Sequence, residues 1–99
     1  MNAFGLFFHH FGLAVRNEEP ALKFLEGLGY APQERNYDPE QNVHVRMALS
    51  DIMPDVETIS PGNGPGPLDS ILKRAPSMIY HMCYETDDLQ GTLRAMEDA

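Results

Sequence analysis

Apolar and polar residues alternate between Phe7 and Val15 with the two-residue period of a β-strand. One side of this strand is apolar, and the opposite side carries His10 together with Gly12 and Ala14, two very small residues. We therefore expect room for a bound group beside His10. The apolar, core-facing side consists of Phe7, Phe11, Leu13 and Val15.

A helix is predicted to follow this strand. Asn17 suits the N-cap position, and Glu18 and Glu19 lie in the first turn, where the positive end of the helix dipole favours carboxylates. Gly29 is typical of a helix end. The apolar stripe that would face the core is Ala21, Leu22, Phe24, Leu25 and Leu28.

Three more strands are predicted before a loop rich in proline and glycine. Residues 30–41 indicate a short strand and a turn, residues 43–50 alternate strongly, and residues 56–60 form a strand that carries Glu57. The loop at residues 61–67 leads to a short helix over residues 68–74. A strand over residues 78–86 and a helix from Leu89 complete the pattern.

These elements divide a single domain, residues 1–99, into two unequal modules. Residues 1–61 form a first module of strand, helix and three strands. Residues 62–77 are a linker with a short helix, and residues 78–99 are a partial second module of strand and helix.

The two modules are related by a weak internal repeat. His81 follows His10 by 71 positions, and at the same offset Leu93 matches Leu22. Similar modules usually pack about a pseudo-twofold axis, so residues at equivalent positions can meet across it. Two histidines that meet in this way suggest a metal site.

Six polar residues of the strands are expected on one face, directed away from the apolar sides. They are His10, His44, Arg46, Glu57, His81 and Glu85. Two imidazoles and a carboxylate form a catalytic set for Zn²⁺, Ni²⁺, Co²⁺ or Mn²⁺ that leaves positions open for water or substrate. We predict that His10, Glu57 and His81 are the metal ligands. The alternative is that the three are ordinary side chains of a solvated sheet surface.

Arg46 and His44 are the candidate substrate-binding residues on that face. Arg46 can hold an anionic substrate or pair with Glu85. His9 shares its side of the first strand with apolar residues, so no functional role is expected for it.

Composition narrows the classes of function. The formal net charge of −8, with only 7 Lys and Arg, argues against a nucleic-acid partner. No segment is long and apolar enough to span a membrane, so no membrane partner is expected. A single cysteine, Cys83, permits no internal disulfide and fits a reducing, cytoplasmic location.

Several short segments, in order, resemble the vicinal oxygen chelate superfamily, in particular its glyoxalase-like and methylmalonyl-CoA epimerase-like members. They are FHHFGLAV at 8–15, DPEQNV at 38–43, VETISP at 56–61, PL at 67–68 and YHMCYETDDL at 80–89. The resemblance implies an α+β fold of βαβββ modules, with a cupped mixed sheet, helices on its outer face and a divalent metal in the cup. By position, the metal ligands would be His10, Glu57 and His81.

The resemblance also implies a metal-dependent lyase or isomerase of the glyoxalase I (lactoylglutathione lyase) or methylmalonyl-CoA epimerase type. The metal would bind the oxygens of a thioester or of a glutathione hemithioacetal while a carboxylate moves a proton beside the carbonyl. A non-catalytic small-molecule binder of the same fold, or a fragment without an active site, is the alternative.

One departure from the family pattern concerns the fourth ligand and base. In the family, the fourth ligand is usually a glutamate that is also a candidate base, and it lies on the last strand of the second module. The sequence does not contain this strand, so Glu57 or Glu85 is the candidate catalytic carboxylate in its place. We expect an incomplete form of a roughly 130-residue domain. An open sheet edge at residues 78–86 would favour a homodimer.

Overall fold

The computed structural model describes residues 2–99 and contains five strands and three helices in those residues. The elements are β1 (Phe7–Val15), α1 (Glu18–Gly27), β2 (Ala31–Asp38), β3 (Val43–Leu49), β4 (Asp55–Pro61), α2 (Asp69–Leu72), β5 (Ser77–Glu85) and α3 (Leu89–Asp98). The predicted α+β class and the βαβββ order of the first module are confirmed. No helix within residues 2–99 has the length and apolar character needed to cross a bilayer.

The five strands form one open mixed sheet in the order β2-β3-β4-β1-β5. β1 pairs in parallel with β4 on one side and antiparallel with β5 on the other. Because β1 lies between β4 and β5, the connection from the first module to the second crosses over β1. β5 lies at an edge of the sheet.

The strand registers divide the side chains between two faces of the sheet, because residues directly opposite each other in neighbouring strands point to the same side. We call the face that carries His10 and Gly12 of β1 the inner face. Glu57 of β4 and His81 of β5 are both register partners of Gly12 and lie on that inner face. The opposite face is called the outer face.

Helix α1 covers the outer face. The Asn17 side chain accepts a hydrogen bond from the Glu19 amide at 3.2 Å and caps the helix as predicted. Leu25 is the buried residue of the helix, and its cluster on the outer face is Leu25, Tyr30 and Ala48, with Met53 and Val56 against them. The Tyr30 hydroxyl donates to the Pro54 carbonyl oxygen at 2.6 Å, which ties the start of β2 to the start of β4.

Helix α2 differs from α1 because it packs on the inner face. Leu68 and Leu72, at its start and end, contact three inner-face residues, Ala14, Val43 and Ile59. These apolar side chains lie along the strands beyond the histidines and would otherwise face water. The short helix after the linker therefore closes one end of the inner face.

Helix α3 is attached mainly through its first turns. Asp88 caps it by accepting from the Gly91 amide at 3.0 Å, and the Thr92 hydroxyl donates to the Phe4 carbonyl oxygen at 2.6 Å. Leu89 and Met96 on this helix are exposed.

We predict that Leu72→Ala lowers the free energy of unfolding by about 2–5 kcal/mol, because it removes a side chain that is only 3% exposed and leaves a cavity in the inner-face core. Leu89→Ala is the matched control, since Leu89 is 61% exposed and its truncation leaves no cavity. Urea unfolding followed by circular dichroism measures both variants. Equal losses in the two would contradict the packing of α2 on the inner face.

Candidate metal centre

Three donor atoms converge on the inner face. Nε2 of His10 lies 3.5 Å from Oε1 of Glu57, and Nε2 of His81 lies 3.8 Å from the same oxygen. All three donors lie within 4.8 Å of one another. These are the residues selected from the sequence, so the predicted meeting of the two modules' histidines occurs. Their role as ligands stays a prediction.

The position of Gly12 explains how three strands bring these donors together. Gly12 pairs with Glu57 across β4 and with His81 across β5. His10 lies two residues earlier on the same face of β1. Each donor therefore comes from a different strand, and the three strands are neighbours in the sheet.

The absence of a side chain at Gly12 is required for this arrangement. A Cβ atom at position 12 would lie 2.2–2.5 Å from three atoms of the His81 ring. The imidazole thus lies directly over the glycine backbone. The sequence predicted room for a bound group beside His10; at Gly12 that room is filled by the His81 ring.

Two β-bulges lie beside the two histidines. Between Phe8 and His10 the β1–β5 register gains one residue on β1, and the extra residue is His9. Between Gly12 and Leu13 it gains one residue on β5, and the extra residue is Tyr80. Each predicted ligand therefore follows a bulged residue directly. Bulges turn side chains away from strict alternation, which is how they serve the rims of binding sites.

Both bulged residues contact the histidine that follows them. Nδ1 of His9 lies 2.6 Å from Nδ1 of His10, and the two ring centroids are 4.9 Å apart. The Tyr80 and His81 rings meet edge to face with centroids 4.5 Å apart. The expectation that His9 belongs to an apolar side was wrong, because the bulge breaks the alternation on which it rested. The sequence indicates the bulges in one respect only: Tyr80 follows His9 by 71 positions, the offset that also relates His81 to His10.

The donor types, and the distances from Oε1 of Glu57 to the two imidazole nitrogens, fit a divalent cation. Two metal–ligand bonds of 2.0–2.2 Å at a tetrahedral angle require donors about 3.4 Å apart, close to the observed 3.5 and 3.8 Å. Neutral imidazole nitrogen and carboxylate oxygen suit Zn²⁺, Ni²⁺, Co²⁺ and Mn²⁺. Burial, and after it the negative charge of Glu57, raise the pKa of the Tyr80 hydroxyl above its usual value. Glu57 contributes the negative charge that would attract a cation to the two imidazoles.

A small cavity adjoins the donors. Its volume is about 200 Å³, and Glu57 and His81 form part of its wall. Tyr80, Asp38 and Gln41 contribute the other polar side chains of the lining. Asp38 and Gln41 were not selected as site residues from the sequence, although both lie in the DPEQNV segment at 38–43 that contributes to the family resemblance, because no periodicity relates that segment to β4 or β5.

The prediction that Arg46 and His44 share the face of the donors was wrong. Arg46 pairs with Thr58, and His44 pairs with Ser60, which places both on the outer face. The Arg46 guanidinium hydrogen-bonds the Glu18 carboxylate of α1, and it donates to the Gln33 carbonyl oxygen at 2.9 Å. Arg46 is therefore paired with Glu18, and the suggested pair with Glu85 was wrong.

Glu85 lies on the inner side of β5 but away from the donors. It pairs with Phe7 at the far end of the strand. It lies four positions from His81 along the strand, or about 13 Å along the backbone. Glu57 is therefore the predicted catalytic carboxylate that the structure brings to the donor set.

We predict that Gly12→Ala strongly weakens metal binding while the protein remains folded. The new methyl group displaces the His81 ring, which is the mobile end of a side chain, so the cost in stability is limited to about 1–3 kcal/mol. The loss of one donor weakens metal affinity by at least about 100-fold. Calorimetric titration with Zn²⁺ and thermal unfolding measure the two effects. Unchanged affinity would show that the His81 ring need not lie over Gly12.

Solved structures of similar fold include methylmalonyl-CoA epimerases. The epimerase from Mycobacterium tuberculosis superposes with a TM-score of 0.78 at 15% identity over 92% of this chain. A hypothetical protein from Bacillus halodurans gives 0.80 at 17% identity over 94%, and another methylmalonyl-CoA epimerase gives 0.75 at 22% over 92%. The chain spans 62% of the length of the first of these proteins, 67% of the second and 68% of the third.

No curated protein sequence matches the chain. A sequence model of the glyoxalase/bleomycin resistance protein/dioxygenase superfamily, in contrast, matches residues 9–99. The matched range includes all three converging donors and begins at the bulge on β1. The chain therefore belongs to the glyoxalase/bleomycin resistance protein/dioxygenase superfamily, whose vicinal oxygen chelate fold the sequence resembles.

Proposed function

We propose that this chain binds a divalent metal ion through His10, Glu57 and His81 and promotes proton transfer at the carbon next to a thioester carbonyl. The observation that carries the proposal is the convergence of two imidazoles and one carboxylate beside a cavity on the inner face. The fold likeness to methylmalonyl-CoA epimerases supports a thioester as the substrate class. A glutathione hemithioacetal, the substrate of a glyoxalase I, is the second substrate that the same chemistry would take.

The bound metal would supply Lewis-acid stabilisation of negative charge on the carbonyl oxygen. His10 and His81 donate to it as neutral rings, and Glu57 contributes a single negative charge. The metal ion and its three ligands would then carry a net positive charge of about one unit, by count of a divalent ion and one carboxylate. That charge favours an anion formed when a proton leaves the neighbouring carbon.

The cavity fits the acyl end of a thioester. Its volume of about 200 Å³ equals roughly seven water molecules, which is below the usual range for a whole drug-sized ligand. The acyl group would therefore enter the cavity, and the larger thiol portion would remain outside it. Tyr80 lines the same cavity, so its hydroxyl is available as a hydrogen-bond donor to the bound group.

Asp38 is the proposed proton acceptor. It is the second carboxylate of the cavity lining, after Glu57, which binds the metal in this proposal. One of its oxygens accepts from the amides of Glu40 and Gln41 at 2.9 and 3.3 Å, which fixes the orientation of the carboxylate. Asp38 lines the cavity, whereas Glu85 lies about 13 Å along the strand from His81, so Asp38 replaces Glu85 as the candidate base.

Metal binding is the first prediction. Calorimetric titration of metal-free protein with Zn²⁺, Ni²⁺, Co²⁺ and Mn²⁺ is expected to give one site per chain. His10→Ala, His81→Ala and Glu57→Gln should each weaken the affinity by at least about 100-fold, because each removes one of three donors. His44→Ala is the control, since it deletes a histidine of the outer face. Absence of binding by the unaltered protein would refute the proposed function.

Proton exchange is the second prediction. With metal added, the protein should exchange the α-proton of methylmalonyl-CoA with solvent deuterium, as measured by proton NMR. Asp38→Asn is expected to slow the exchange by about 10²–10⁴-fold, the usual contribution of a general base, while metal affinity stays unchanged. The same assay with the methylglyoxal–glutathione adduct distinguishes the two substrate classes. Tight metal binding without exchange of either substrate would instead indicate a small-molecule binder.

A further inference from the structure

The contact between His9 and His10 involves a specific pair of atoms. Nδ1 of one ring lies 2.6 Å from Nδ1 of the other, which is a hydrogen-bond distance. The other ring nitrogen of His10, Nε2, is the atom directed at Glu57. Nε2 of His10 thus faces the donor set, and Nδ1 of the same ring faces His9.

Only one direction of this hydrogen bond is compatible with a metal on His10. A neutral imidazole has one N–H and one lone pair, so the nitrogen that binds the metal must be the one without hydrogen. If His10 donates its Nδ1–H to His9, its Nε2 carries the lone pair toward Glu57 and His81. If His9 donates instead, the His10 proton lies on Nε2 and blocks that atom.

We propose that His9 is a positioning residue for the metal centre, which accepts the Nδ1–H of His10 and so holds His10 in its metal-binding tautomer. The inference rests on the proposed metal binding at His10, Glu57 and His81. Metal-bound histidines generally donate their second ring N–H to an acceptor, which fixes the orientation of the ring. Here the acceptor is the next residue in the chain, brought alongside His10 by the β1 bulge.

His81 provides an internal comparison. Tyr80, the bulged residue before it, contacts the ring edge to face at 4.5 Å, through an aromatic ring that has no nitrogen acceptor. Within residues 2–99, no hydrogen bond of the His81 ring accompanies this contact. The positioning hydrogen bond is therefore specific to the first module's ligand. His9 is exposed, so its replacement perturbs the core little.

The test compares three variants. His9→Phe keeps a planar ring but removes the acceptor, and it is expected to weaken Zn²⁺ affinity by about 10–100-fold. His9→Asn restores an acceptor, because its Oδ1 is attached to Cγ as Nδ1 is in histidine, and it is expected to bind within about threefold of the unaltered protein. His44→Phe is the matched control, since it makes the same substitution at a histidine of the outer face that also touches an aromatic ring, Tyr37.

A second readout does not depend on metal. Two-bond proton–nitrogen NMR correlation of the metal-free protein, labelled with ¹⁵N-histidine, reports which nitrogen of His10 carries the proton. Nδ1–H is expected in the unaltered protein and in His9→Asn, and a shift of the proton toward Nε2 is expected in His9→Phe.

The two readouts separate the possible failures. Tight Zn²⁺ binding that His9→Phe leaves unchanged would overturn the role of His9 and leave the proposed function intact. An affinity for His9→Asn as weak as that of His9→Phe would also overturn it, because the effect would not follow the acceptor. If the unaltered protein binds no Zn²⁺, the proposed function fails, and an Nε2–H tautomer in the same metal-free protein would show separately that His9 does not accept from His10.

Discussion

β1 lies between β4 and β5. Cα atoms of β4 and β5 that pair with the same residue of β1 are therefore about 9.5 Å apart, twice the spacing between paired strands. The donor atoms of Glu57 and His81 are nevertheless 3.8 Å apart. Both side chains must lean across β1 to meet, and they do so above the one residue of that strand that pairs with both, Gly12. The missing side chain at that residue is the constraint on which the donor set depends.

Much of the fold follows from sequence patterns because those patterns reflect burial. The alternation in β1 and β3, the Asn17 cap and the glycine-rich linker all predicted elements within a few residues of their observed limits. The three donors were also predictable, since the repeat places His81 on His10 and Glu57 is a carboxylate of a predicted strand that was expected on the same face. Their proximity, however, required the pairing of β1 with β4 and β5, which periodicity does not encode.

The errors have two physical origins. Alternation tells which residues share a side of a strand, but it does not tell which side the helix covers. In β3 both sides are useful to the protein: Val43 is buried under α2, while Arg46 on the other side meets Glu18 of α1. The second origin is the bulge, which shifts the alternation by one residue and turned His9 toward the site. Neither effect changes the hydrophobic pattern of the sequence.

The electrostatics of the chain restrict how an anionic substrate can be attracted. The net charge is −8, and Arg35 and Arg46 are both paired with Glu18 of α1. With those guanidinium groups paired on the outer face, neither is available beside the donors to a thioester that carries phosphates or a carboxylate, and a bound metal ion would supply positive charge there. In the proposed function the cation therefore serves both to hold the substrate and to stabilise the charge that develops on it.

The two bulges show how the halves of the site share a geometry but differ in chemistry. Each bulge precedes a predicted ligand and brings an aromatic ring against it, at 4.9 Å in the first module and 4.5 Å in the second. His9 is exposed and offers a nitrogen to His10, whereas Tyr80 packs against the inner-face core and lines the cavity beside Glu57. A bulged residue on the solvent side can adjust the tautomer of its ligand without affecting the cavity. A bulged residue on the cavity side can contact a bound group. In the proposed function, the same backbone irregularity would therefore serve the metal in one module and the substrate in the other.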